Sequence, residues 1–464
     1  MAITILTTLF ALAVLVTVHE AGHYFVARWC GVKVIRFSVG FGRPILRKLG
    51  KDGTEYVFAW LPLGGYVRML DSRNDEVDAR HLSSAFDQKS PWQRIAIVVA
   101  GPLVNLIFAG LLYALVHVVG TPQLIPVAVA IDKGELGFEL PQRIIAIDGH
   151  ATPTWEAVNI ALAKRIGETA SIRLSIQALD EQVLQEQALL VNQLDTLPVL
   201  GIQEERFFAV TQWMSASVQV SPLGQLGLKP WRPDVPVLLN HIVPLGAAEI
   251  AGLKLGDTIL ALNNQPMVGY NEFVEFIQGH ADMRVMVTLE RSSQRLEVPV
   301  QLGSYVNEVG KRVGRIGIGV AAIEWPQSMR FQQQLGVFDG LVAGGQQALE
   351  MAALTLSFLG RMVQGLVSIE HLSGPISIAK IAGASAESGV IAFISFMAYL
   401  SVSLGVLNLL PVPMLDGGHL LYYLVEVVTG RKVPENIQAI GLRIGMALVF
   451  SIMIIAVAND LMRL

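Results

Sequence analysis

The chain has 464 residues, of which 52% are hydrophobic and 16% charged, where soluble domains carry about 25% charged residues. With a formal net charge of −4 and a mean hydropathy of +0.51, it is neither a disordered chain, nor a nucleic-acid binder resting on bulk positive charge, nor an ordinary soluble enzyme. Its single cysteine, Cys30, excludes an intramolecular disulfide, so any exported part must hold together by packing.

Four stretches reach the roughly 20 apolar residues that a membrane-spanning helix needs. The first runs from Met1 to about Trp29, with no Lys, Arg, Asp or Glu before Glu20. It lacks the basic start and small-x-small cleavage site of a signal peptide, so it reads as retained. At its deep end His19-Glu20-Ala21-Gly22-His23 fits H-E-x-x-H. Helix positions four apart lie about 40° apart around the axis and one turn apart along it, so both imidazoles can reach one Zn²⁺. The glutamate between them is placed to take a proton from water. The alternative is a pair of satisfied histidines near an interface with a surface glutamate. Burial in the span favours a bound metal, because a charged side chain deep in a membrane helix costs about 2.5–3.5 kcal/mol.

Lys33 to Met69 reads as a hairpin: Lys33–Val39 as one strand, Gly40 and Gly42 permitting tight turning, and Thr54–Trp60 as a second strand. It is too short to span and too apolar for a free loop. Non-helical backbone at membrane depth is tolerated only where protein or a wet cavity shields it. The hairpin is therefore expected to dip toward the metal and add the substrate as an extra strand. Otherwise it lies on lipid headgroups.

The second span, Ile95–Gly120, is uncharged and holds Asn105 and His117. From about Thr121 to Ser385 the character is soluble, with short β-branched runs between turn signals. A weak repeat is visible: Arg143-Ile-Ile-Ala-Ile-Asp-Gly-His is echoed by Thr258-Ile-Leu-Ala-Leu-Asn-Asn-Gln, which implies two copies of one small β-rich module. The stretch from about Val337 to Leu366 suits an interfacial amphipathic helix.

The third span, Gly389–Leu415, ends in Asn408-Leu-Leu-Pro411-Val-Pro413-Met-Leu-Asp416-Gly-Gly-His419. The prolines break the helix and the double glycine frees the backbone. A catalytic zinc usually takes three protein ligands and leaves one position open. Asp416 is the best third candidate and His419 its rival; an interfacial aspartate capping the next helix is the alternative. Asn408 is placed to hydrogen-bond an unwound substrate backbone. The fourth span lies between about Ile437 and Ala458. Twelve Lys/Arg against seven Asp/Glu between Arg28 and Arg94, together with Arg431, Lys432 and Arg443, put those loops in the cytoplasm. Both termini and residues 121–385 then lie on the other side.

HEAGH in the first span, NLLPVPMLDGG in the third and tandem modules between spans two and three resemble the site-2 protease family of intramembrane zinc proteases, in particular its Gram-negative sigma-E-regulating members. Ser38-Val-Gly-Phe-Gly42, Pro62-Leu-Gly-Gly-Tyr66-Val, Ala100-Gly-Pro-Leu-Val-Asn105 and Leu372-Ser-Gly-Pro-Ile-Ser377 carry the same resemblance. It implies zinc bound by His19, His23 and Asp416, Glu20 as the catalytic residue, and substrate handling by Asn408, Pro411, Pro413, Gly40, Phe41 and Gly42. The modules resemble PDZ domains. The second has Ala251-Gly-Leu-Lys-Leu-Gly-Asp257, while the first has Pro141-Gln142 in place of Gly-Asp, so peptide capture is expected of the second more than of the first.

The expected fold is a mainly α-helical polytopic membrane protein with four transmembrane helices, a membrane-associated β-hairpin and two inserted PDZ-like α+β domains. Its parts are residues 1–120, PDZ-like domains at 121–215 and 216–305, a linker with the interfacial helix at 306–385, and the last two spans at 386–464. The expected activity is zinc-dependent cleavage of a single-span membrane protein inside or near its transmembrane segment, after a prior cut by another protease. By resemblance the substrate is an anti-sigma factor of envelope stress signalling, with remnant signal peptides a further class, and the site is the bacterial inner membrane. Membrane lipid and a peptide ligand of the second PDZ-like domain are the other expected partners; nucleic acid is not. The rival is a non-catalytic membrane adaptor with a degenerate metal site. A metal transporter is weaker, because the spans show no repeat among themselves.

Overall fold

The computed structural model describes residues 2–73, 79–131, 139–190, 196–215, 221–267, 269–306, 312–320, 325 and 327–462. Two compact units emerge, one formed by residues 1–121 with 332–464 and the other by residues 122–331. In the first unit, helices Ile3–Trp29, Pro91–Val119, Val390–Asn408 and Glu435–Met462 are long and apolar enough to cross a membrane. They fall on the four expected spans. The third stops at Asn408 rather than Leu415, because Pro411 and Pro413 cannot continue the helical ladder. Inside the first helix the hydroxyls of Thr8 and Thr17 donate to the carbonyls of Thr4 and Ala13, both at 2.6 Å, so these polar groups need no water. The second helix opens on a capping box, Ser90 and Gln93 satisfying each other's backbone amides, with Pro91 at the first helical position.

These helices approach backbone to backbone at small residues, as apolar surroundings require when there is little hydrophobic force between helices. A Cβ on Gly22 of the first helix would stand 2.5 Å from the Ala100 carbonyl oxygen of the second. One on Gly405 of the third would stand 2.9 Å from the Pro102 carbonyl oxygen. The amphipathic helix, Val337–Val363, turns its small residues Gly340, Gly344 and Ala348 inward. Gly340 meets Val118 and Ala114, and Gly344 meets Ala114 and Gly110, so this helix runs antiparallel along the end of the second one. At the far end of the fourth helix, buried Asp460 accepts from the backbone amides of Gly374, Ile376 and Ser377 and so caps helix Pro375–Glu387.

The hairpin consists of strands Val34–Leu49 and Glu55–Met69, longer than the two expected. Both bend, so that two strands make four runs. Arg36 pairs with both Arg68 and Glu55, and Val39 with both Gly65 and Phe58, while Leu46 to Leu49 pair with Phe58 to Glu55. Across the sheet the order is therefore 46–49, 55–58, 36–39, 65–69, with 36–39 and 55–58 running in the same direction. Buried Glu55 is sandwiched accordingly, ion-paired to Arg36 at 2.5 Å on one side and to Arg47 on the other.

The 122–331 unit holds two six-stranded sheets of one topology. Strands 199–210, 170–179, 142–147, 127–130 and 228–230 lie side by side in the first; 294–301, 284–291, 258–262, 237–242 and 318–320 lie in the same order in the second. The two copies suggested by the repeat are thus alike in strand order. Each sheet takes an edge strand, Leu228–Pro230 or Ile318–Val320, from beyond the 215 and 305 ends expected from sequence, because these short strands return to the sheet after an excursion. Each module buries its own core, around Ile144, Leu162 and Leu174 in the first and Leu239, Phe273 and Val287 in the second. Gly137 and Phe138, at the start of the expected departure in the first copy, lie outside the described residues.

Asp257 of the second copy accepts two hydrogen bonds from Arg291, each 2.7 Å, and one from the Lys254 amide at 2.8 Å, joining its turn to strand Arg284–Arg291. Burial pushes its carboxyl up, but the Arg291 bonds and the Lys254 amide outweigh this and hold it below the usual carboxylate range. A carboxylate depressed in the native state stabilises above its unfolded value near 3.9 and loses that contribution as pH falls through the native one. Asp257→Asn is expected to destabilise the module at pH 7 by about 1.5–3 kcal/mol. Hydrogen exchange of the 284–291 amides should record a gap between the two proteins that is flat near neutrality and narrows below about pH 4.

Candidate metal centre

His19 and His23 lie one turn apart on the first helix, their rings edge to face with centroids 4.9 Å apart. Asp416 arrives from a different part of the chain. After Asn408 the backbone bends through residues 409–415, and Asp416 opens the next helix, Asp416–Thr429. The bend is so tight that a Cβ on Gly417 would collide with the carbonyls of Leu409 and Leu410, and one on Gly418 with Val412 and Pro413. Arg94, at the foot of the second helix, reaches Glu426 at 2.7 Å with both side chains largely buried, and lies over the Tyr423 ring. This pair fixes the helix that carries Asp416.

The result is a triangle of three electron-pair donors. His19 Nε2 and His23 Nε2 are 3.3 Å apart, and Asp416 Oδ2 lies 3.2 Å from the first and 3.4 Å from the second. Tetrahedral zinc bound at about 2.0–2.1 Å separates its ligand atoms by roughly 3.3–3.4 Å, since tetrahedral edges are about 1.63 bond lengths. The donor set and its spacing therefore fit one zinc ion with a fourth position open. Two further observations agree. Asp416 Oδ2 is buried and has no hydrogen-bond partner among the described residues. Gly101 of the second helix faces the triangle so closely that a Cβ there would fall on His23 Nε2. His23 Nδ1 lies 2.8 Å from the Ile97 carbonyl oxygen, an acceptor only, so Nδ1 carries the proton and Nε2 presents its lone pair. His419 lies on the same cavity but outside the triangle.

That cavity, about 500 Å³, is lined by Glu20, Tyr66, Val67, Asn408 and His419 besides the three donors. A Cβ on Gly65 would stand 3.1 Å from Glu20 Cγ, so the 65–69 run lies directly on the glutamate's face of the first helix. Residues 36–39 are paired on both sides, and the edge bordering the cavity is 65–69.

The remaining predicted residues stand further out. Gly40 and Gly42, at φ +93° and +91°, make the bend that leads out of the 36–39 run. Phe41 stacks on Tyr66, with ring centroids 6.2 Å apart, and so backs a cavity residue without lining the cavity. Pro411 and Pro413 shape the turn between Asn408 and Asp416. Sequence reasoning gave no individual role to Gly101, Arg94, Val67 or Asn105, although Gly101, Val67 and Asn105 lie in stretches that carry the resemblance and Asn105 is a polar residue in an uncharged span.

A metalloprotease built into apolar helices is the class that this arrangement defines. Residues 7–452 match the family model of peptidase family M50. The chain is 40% identical over 458 residues to a Vibrio cholerae protein named as a zinc metalloprotease, covering 98% of this chain and 97% of that one. It is 37% identical to the regulator of sigma E protease of Haemophilus influenzae and to the regulator of sigma-E protease RseP of Escherichia coli, with the same coverage. The chain belongs to peptidase family M50, the site-2 proteases, and is a zinc metalloprotease.

Gly101→Ala is expected to weaken zinc uptake roughly tenfold or more, as disturbed ligand orientation does. Gly110→Ala, one surface of the same helix where a Cβ makes only an ordinary 3.5 Å contact, should leave it unchanged. Metal titration of the two detergent-purified variants decides.

Proposed function

We propose that the protein is an endopeptidase that hydrolyses a peptide bond within or near the transmembrane segment of single-span membrane proteins, with His19, His23 and Asp416 as zinc ligands and Glu20 as general base. The observation that carries this reading is the convergence of three donor atoms at 3.2–3.4 Å beside Glu20, two of them on a helix apolar enough to cross a membrane and the third at the start of helix Asp416–Thr429. Zinc bound there supplies Lewis acidity, acidifying water and polarising a carbonyl. Glu20, on the cavity beside the 65–69 run, takes the proton of the attacking water and returns it to the leaving amide nitrogen.

A helical substrate hides its scissile amide in its own hydrogen-bond ladder, so it must be unwound and held extended. The outer side of the 65–69 run, beside Glu20, suits addition of such a segment as a further strand. Asn408, on the same cavity, is placed to donate its amide to a carbonyl of that strand. Gly40, Phe41 and Gly42 act by shaping the sheet behind Tyr66, and Pro411 and Pro413 by setting the path from Asn408 to Asp416.

The relatives named as regulators of sigma-E protease support an anti-sigma factor as substrate, cut after a first cleavage elsewhere, and an inner-membrane location. Remnant signal peptides offer the same chemistry. On the charge asymmetry of the loops, the hairpin and the metal face the cytoplasm and the 122–331 unit faces the periplasm. Its two modules act as PDZ-like domains that exclude substrates with bulky exported parts. In the second, a groove of about 380 Å³ lined by Tyr270, Phe273, Ile277 and Ile318 runs beside the edge strand Ile318–Val320, which supports capture of an extended peptide.

The test is cleavage of a model single-span substrate by detergent-purified protein, with metal analysis of each preparation. Glu20→Gln should keep wild-type zinc content and lose cleavage by about 10²–10⁴-fold. A wild-type protein that holds no metal and cuts nothing would return the adaptor reading.

A further inference from the structure

We infer that Asn105 is the positioning residue of His19, its side-chain oxygen accepting the Nδ1 proton that ligation through Nε2 leaves on the far side of the ring. This rests on the zinc reading proposed above. Asn105 lies inside the second span, wholly buried, in a stretch from Ile95 to Gly120 that carries no charged residue. A buried primary amide in apolar surroundings is kept only where it makes hydrogen bonds. Its Nδ2 lies 3.2 Å from His19 Nδ1, and its Oδ1 is buried with no hydrogen-bond partner among the described residues.

That orientation conflicts with the triangle. If His19 offers its Nε2 lone pair, the ring proton sits on Nδ1, and two N–H donors would face each other at 3.2 Å. Amide oxygen and nitrogen have nearly the same shape, and the hydrogen-bond network decides which is which. Turning the amide by 180° leaves one amide group unpaired, as before, but gives His19 an acceptor, which the first orientation does not.

The placement is independently fixed. Ser401 Oγ of the third helix donates to the Asn105 carbonyl at 2.8 Å and holds this turn of the second helix in place. The second helix already performs the same service for the other histidine, because His23 Nδ1 meets the Ile97 carbonyl at 2.8 Å. Residues 97 and 105 are eight apart, so the two acceptors lie about two turns apart on one side of the helix. The second helix thus supplies no member of the triangle and orients both of its imidazoles. Outer partners of this kind fix the tautomer and raise ligand basicity.

The experiment is zinc competition against a chromophoric chelator, with full-length protein in detergent, alongside the melting temperature of the metal-stripped form. Asn105→Leu and Asn105→Ala remove the acceptor and should weaken zinc binding by about 10–100-fold, with a change in the visible spectrum of the cobalt-substituted protein. Asn105→Asp keeps an acceptor at the same place and should stay within a few-fold of wild type. Wild-type zinc affinity in both deletion variants overturns the inference, whatever happens to their melting temperatures. So does an Asp variant that loses as much affinity as the Leu variant while the metal-stripped protein melts normally. A wild-type protein that takes up no zinc removes the zinc reading itself, and the inference with it.

Discussion

Three lone-pair atoms held within 3.2–3.4 Å of one another in a largely buried place repel unless something positive stands between them. Around that demand the rest of the 1–121 and 332–464 unit is arranged. Two donors come from one helical turn. The third must be carried in from a part of the chain nearly 400 residues away and held against the Coulomb and desolvation forces that would push a carboxylate toward water. The Arg94–Glu426 pair and the glycine-lined turn at 417–418 are the devices that hold it.

Close approach is the second requirement. Imidazoles on one helix can be oriented by a neighbouring backbone only if the two helices nearly touch. Gly22 against Ala100, Gly101 against the histidines and Gly405 against Pro102 remove every Cβ that would prevent this. The second helix is therefore the keystone of the unit, packed by the first, the third and the small-residue face of Val337–Val363. Apolar helices elsewhere tolerate looser packing. Here a displacement of a few tenths of an ångström would change the distances that a metal reads.

The hairpin follows a different logic. By bending each strand so that two strands make four runs, the chain pairs 36–39 and 55–58 on both sides and brings the 65–69 run beside Glu20. Gly40 and Gly42, both at positive φ, make the bend that leads out of the 36–39 run. The 122–331 unit solves its stability separately, with apolar cores of its own and ion pairs such as Arg291 to buried Asp257 in place of disulfides, as a chain with one cysteine must.

The sequence by itself determined what depends on local order: four apolar helices of membrane length, the facing of two histidines by their spacing, the break after Asn408 set by two prolines, and the duplication of a β-rich module. These are properties of helical period, side-chain transfer energy and turn chemistry, all readable within a window of a few residues. The tertiary structure alone decided which run of the hairpin borders the cavity, which helix stands behind the histidines, and where each module closes, since Leu228–Pro230 and Ile318–Val320 pair with strands far away in the chain. It also separated Asp416 from His419, three residues apart on one helix. Only the meeting of helices distant in sequence fixes distances to the few tenths of an ångström that distinguish a donor triangle from a group of polar neighbours.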